Sequence, residues 1–301
     1  MSQSSSPAIT PPTLIVYESS FEGWLSAVFY VYEQKLQNQP YLQLVDSSDY
    51  QPSLIDTATY VATDDDKAQR VLTKLNTLLG RSGMRQLLWG FLSEKPEIGS
   101  TLFQVVKYAL DYPNRQVLQD LGNLAVLELA QTVKSVGREK HRMEAFVRFE
   151  HTTEDIYFAR VEPDFNVLPL IGEHFRQRYQ DQQWAIYDIK RGYGIFYDQS
   201  KAINNKPAEL QTIVDVADEV LLNPSSLHSE QEKQYQKFWQ GYFANVNIKE
   251  RKNPRLHRQY LPQRYWKYLT EKQVLPNAEH LIPILKNNTQ VAPLPLSDRP
   301  N

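Results

Sequence analysis

Apolar residues recur along the first half of the chain at helical spacing, interrupted once near the start by a short continuous run. Leu14–Tyr17 reads as a buried strand. Ser19-Ser20-Phe21-Glu22 then has the form of a capping box, opening a helix whose apolar face is Phe21, Trp24, Leu25, Val28, Phe29 and Tyr32. Thr63-Asp64-Asp65-Asp66 starts a second helix, with Ala68, Val71, Leu72, Leu75, Leu78 and Leu79 at 3,4 spacing. Met84–Leu92, Ile98–Leu110 and Gln116–Val136 continue the helical period, the last expected to stop near Gly137. After Arg142 the period shortens to two. Glu144–Phe149 and Ile156–Val161 read as strands around a polar Thr152–Asp155 turn, Pro169–Tyr179 as a helix, and Trp184–Lys190 and Gly194–Tyr197 as two further strands. Helical spacing returns at Leu210, Ile213, Val214, Ala217, Val220 and Leu221, and at Tyr235, Phe238, Trp239, Tyr242 and Phe243.

These elements predict an α+β protein, mostly helical, with a small central antiparallel or mixed sheet formed by a ββαββ insert. Residues 1–13, rich in Ser and Pro, are expected to form a disordered tail, and 272–301, with five Pro, a second one. Residues 14–271 are expected to form one domain: helical over 14–142, sheet-containing over 143–200, helical and basic over 208–271. The length of 301 residues supplies ample core. No apolar run reaches the roughly 20 residues that span a bilayer, and the N-terminus lacks a signal-peptide pattern, so a cytoplasmic protein without membrane contact is expected.

Composition then removes chemistry. The chain has no Cys, which excludes disulfides, thiolate zinc sites, cysteine-ligated iron–sulfur clusters and a cysteine nucleophile. Its six His (His141, His151, His174, His228, His257 and His280) show no paired metal spacing, and no metal or cofactor is expected on this chain. Phosphate-loop, dinucleotide-binding and serine-hydrolase motifs are missing. Net charge is −2, yet it is unevenly spread. Lys249–Lys272 holds eight Lys/Arg against Glu250 and Glu271, a segment of +6 in a chain otherwise at −8.

That segment is the strongest candidate for binding. Lys249, Arg251, Lys252, Arg255, Arg258 and Arg264 would meet phosphates, and Tyr265 and Trp266 offer faces on which bases stack. The same rings could instead close a core beneath a solvated cationic face. A second basic group, Arg138, Arg142 and Arg148, surrounds Glu139 and His141, which could serve acid–base chemistry or merely finish a helix. A third pattern, Glu162-Pro163-Asp164 followed by Asp188-Ile189-Lys190, has the form of a nuclease site. There Asp164 and Asp188 would hold Mg²⁺, and Lys190, on the same strand face as Asp188, would position water. Ion pairs beside a turn are the plainer reading of these residues.

Several stretches together resemble a bacterial family assigned to DNA metabolism and repair, whose members accompany a radical-SAM protein of DNA repair. They are Tyr17–Val28, Val136–Phe149 with Glu162-Pro163-Asp164, Trp184–Tyr197, and Asn247 to Glu271. The resemblance implies a nucleic-acid-binding protein of DNA repair or modification, with DNA and a radical-SAM protein as partners. It transfers no catalytic residue. Some relatives carry a fused uracil-DNA-glycosylase-like domain; here the sequence ends thirty residues past Glu271, so glycosylase activity is not expected. A metal-dependent nuclease or base-processing enzyme, and a protein-binding adaptor that never touches DNA, are the alternative readings.

Overall fold

The computed structural model describes residues 12–52, 57–113, 115–202, 208–214, 228–232, 234–236 and 261–270. The chain forms two compact units. The first comprises residues 1–142 and 163–170, the second 143–162 and 171–301.

In the first unit, β1 (Thr13–Tyr17) is flanked by β2 (Leu42–Asp46) and β3 (Thr57–Val61) in a parallel sheet of order β2-β1-β3. The central strand is buried from Leu14 to Tyr17, which is why it reads as an uninterrupted apolar run. α1 (Phe21–Glu33) follows; Ser20 caps it, its side chain accepting the Gly23 N–H at 2.9 Å. α2 (Asp65–Phe91) is capped by Asp64, which accepts the Lys67 N–H at 3.0 Å. It breaks at Gly80, whose φ of 67° and ψ of 177° are open essentially to glycine alone. The interruption between the two predicted helical stretches, 64–79 and 84–92, is this kink. α3 (Ile98–Asp111) buries Leu102, Phe103, Val105 and Val106 in a core shared with Trp24, Val28, Leu75 and Leu87.

α4 (Leu124–Phe146) differs from expectation at its end. Gly137 does not stop it. A Cβ there would lie 3.2 Å from the Trp89 ring, so the glycine serves a close helix approach. The strand expected over Glu144–Phe149 is accordingly the last helical turn and the residues after it, and Arg148 closes that end by donating to the carbonyls of Ala145 (2.8 Å) and Val147 (3.2 Å).

The second unit contains a five-stranded sheet of order β4-β5-β6-β7-β8: β4 (Glu150–His151), β5 (Tyr157–Val161), β6 (Trp184–Asp188), β7 (Tyr193–Tyr197) and β8 (Gln211–Val214). β5 and β6 are parallel, joined through α5 (Leu168–Arg178); the other neighbours are antiparallel, so the sheet is mixed. Phe175, Trp184 and Tyr197 form an aromatic core with Phe149 and Tyr179. The fold is α+β and mostly helical. It holds a three-stranded sheet that the sequence reading did not anticipate beyond β1. β8 lies where helical spacing was read, because Leu210, Ile213 and Val214 fit either period and pairing with β7 decides. Ala217–Leu221 and Phe238–Phe243 lie outside the described residues. Among the described residues, no helix is long and apolar enough to cross a membrane.

Candidate functional site

In the second unit, β5 and β6 run parallel and end side by side: Val161 pairs with Asp188, and the Ile189 N–H donates to the Val161 carbonyl at 3.0 Å. The carboxyl ends of neighbouring parallel strands are where α/β sheets commonly place ligands. Asp188 is fully buried there. Its Oδ1 accepts the backbone N–H groups of Lys190 (3.0 Å) and Arg191 (3.3 Å), and its Oδ2 pairs with Arg191 Nη1 at 2.7 Å. Burial pushes its carboxyl above the usual aspartate range, against the opposing pull of Arg191. The strand ends at Asp188, so Lys190 belongs to the turn rather than to a shared strand face. Both Asp188 oxygens are engaged in building that turn.

Glu162, one residue past β5, is the outward-facing carboxylate of this edge. Its partners come from the cationic segment, where Pro262 opens a 3₁₀ turn over Gln263–Tyr268. From that turn Tyr268 donates its hydroxyl to Glu162 Oε2 at 2.6 Å, and Lys267 donates its ammonium to the same oxygen. These two bonds, with a further attraction to Lys190, hold the Glu162 carboxyl below its usual range, and the Glu162 bond raises Lys267 in turn. Burial, then the bond to Glu162, pushes the Tyr268 phenol up to about 12, so it remains a proton donor at neutral pH.

The two stacking candidates separate here. Tyr265 is a core residue, 2% exposed, packed on Phe146 at 5.7 Å between ring centroids and overlaid by the Arg264 guanidinium at 4.5 Å. Trp266 is half-buried, its indole N–H donating to the Leu261 carbonyl at 3.1 Å. Arg264 and Lys267 are exposed. Lys249, Arg251, Lys252, Arg255 and Arg258 lie outside the described residues.

In the first unit, α4 carries the other candidates. Glu139 is 1% exposed; its Oε1 accepts the Asp164 N–H at 2.9 Å and its Oε2 faces Arg142 Nη1 at 3.4 Å. It thus ties the Pro163-Asp164 segment to the helix. Arg138 and His141 are on the exposed side, Arg138 bonding Ser135 Oγ at 3.1 Å. Residues two apart on a helix point to different faces, so Glu139 and His141 do not form an acid–base pair. Asp164 belongs to the first unit and Asp188 to the second. Among the described residues, no group of three or more His, Asp or Glu is arranged to hold a metal ion.

In the sequence Lys267 is only one charge of the basic segment, and its part in this edge, with Tyr268 and Arg191, is not legible there. Only the Glu-Pro following a strand hinted at it; the partners of Glu162 come from more than a hundred residues away. The family described as "domain of unknown function (DUF4130)" matches residues 96–271, more than half of the chain. No curated protein matches it.

Proposed function

This chain belongs to the DUF4130 family, and we propose that it is a nucleic-acid-binding protein of DNA repair or modification that works with a radical-SAM partner. One observation carries the binding half of this reading. The described end of the +6 segment is moored, through Lys267 and Tyr268, at the carboxyl end of β5, leaving Arg264 exposed and Trp266 half-buried beside it. A cationic segment anchored at one end can present the rest of its charges to a phosphate backbone, while a nearby indole offers a stacking face. Arg138, Arg142 and Arg148, on the other basic stretch, are separate candidates for phosphate contacts. The partner half rests on the resemblance of the motifs and on the missing Cys, which leaves any cysteine-ligated iron–sulfur chemistry to another chain.

Fluorescence anisotropy with labelled single-stranded and duplex DNA tests this. Binding should weaken steeply with salt, the slope of log K against log salt growing by about 0.7–0.9 per phosphate neutralised. Arg251→Glu with Lys252→Glu should weaken all sequences alike, because phosphate contacts carry little base information. Salt-insensitive binding, or none at low salt, would favour the adaptor. Mg²⁺-dependent cleavage lost in Asp188→Asn, with folding and binding intact, would favour the nuclease.

A further inference from the structure

The first unit holds a groove between α1, α2 and α3 that the nucleic-acid reading does not use. Its volume is about 510 Å³, within the roughly 300–1,000 Å³ typical of sites for small organic ligands. Its floor is apolar, made by Val28, Leu75, Val106 and Leu110. Leu75 and Val106 are also part of the buried core, so the floor is held rigidly.

Polar chemistry is confined to a few groups around this floor. Arg70 and Lys74 stand one turn apart on α2, both exposed, and neither forms an ion pair among the described residues. The Arg70 guanidinium lies 4.8 Å from the centroid of Phe29, another lining ring. The Tyr32 hydroxyl is shielded from solvent and has no hydrogen-bond partner among the described residues. A hydroxyl in that condition loses its water without compensation. Burial, then the nearby Asp111 carboxylate, pushes the Tyr32 phenol up to about 12, which leaves it a donor at neutral pH. Among the described lining residues Asp111 is the one acid, against two cations.

We propose that this groove binds a small anion with an apolar body. The body would cover the apolar floor, and Arg70 and Lys74 would hold the anionic group. Two cations without an ion-pair partner among the described residues, set over an apolar floor, select the charge.

The test uses the full chain and 8-anilinonaphthalene-1-sulfonate, an aromatic anion whose fluorescence rises in apolar surroundings, with uncharged N-phenyl-1-naphthylamine as its control. One sulfonate probe should bind per chain. Arg70→Gln with Lys74→Gln should weaken it about tenfold, the scale of losing a hydrogen bond to a charged group, and leave the neutral probe unchanged. Both side chains are exposed, so circular dichroism should show an unaltered fold. Tyr32→Phe should leave the affinity for the sulfonate probe unchanged, since a shielded hydroxyl is out of the ligand's reach, and the urea midpoint of the unliganded chain equal or higher, since it removes a hydroxyl unpaired among the described residues. Absence of binding, or binding that the double variant does not weaken, would overturn the proposal.

Discussion

Glu139 and Asp188, two of the three carboxylates that the sequence offers as catalytic candidates, are each buried against donors: a backbone N–H and an arginine for Glu139, two backbone N–H groups and an arginine for Asp188. A charge can leave water only under such conditions. Removing one partner of a buried pair strands the other, and Arg191 is only 8% exposed. Asp188→Ala should therefore lower unfolding free energy by about 3 kcal/mol, with Asp188→Asn costing less because it keeps an acceptor for the turn; urea denaturation measures both. The Asp188 carboxyl is raised by burial, so the folded state holds that proton to higher pH than the unfolded chain. The resulting stabilisation is complete below the ordinary value of 3.8 and is lost as pH rises through the folded value. Glu162 and Lys267 behave oppositely to one another. The lowered Glu162 contributes fully above 4.5 and loses its contribution as pH falls through its folded value; the raised Lys267 contributes fully below 10.5 and loses it as pH rises through its own. The bonds from the 3₁₀ turn to Glu162 should thus hold between those limits and weaken outside them, while Tyr265 keeps the turn on the core, and the urea midpoint followed against pH reads the change. Glu162→Gln should flatten the acid limb of that profile.

At the level of elements, periodicity located the cores of α1, α2, α3, α5, β1 and β5–β7, because which face of an element is apolar is written in neighbouring residues. The ends were less legible. Glycine read as a stop in α4 because glycine commonly ends helices, but Gly137 is there to let Trp89 approach, a contact between residues nearly fifty positions apart. Gly80 is the converse case. It lies inside one long helical stretch and breaks it, at a φ that an L side chain adopts only with strain. Gly80→Ala should cost about 1–3 kcal/mol despite alanine's higher helix propensity. Thermal unfolding followed at 222 nm would register it; an equal or raised Tm would show that the kink is dispensable.

Across the whole molecule, the family match begins at residue 96, just before α3, whereas the first unit begins at the N-terminus and takes in β1, α1 and α2. α3 buries Leu102, Phe103 and Val106 with residues of those earlier elements. A fragment of residues 96–271 should therefore leave α3 without its packing partners while keeping the described strands of the second unit, so its helical signal at 222 nm per residue should fall below that of the full chain. What the sequence determined alone was the class of fold, the position of the helices α1 to α5 and of half the described strands, the missing Cys chemistry and the charge segregation, all properties of composition or of neighbours along the chain. Tertiary structure decided which charges are buried: it committed Asp188 to a turn and Glu139 to a latch, placed Tyr265 in the core, and brought Lys267 and Tyr268 to Glu162. Those outcomes depend on partners distant in sequence and on the burial that sets a carboxylate's environment, and neither exists until the chain has folded.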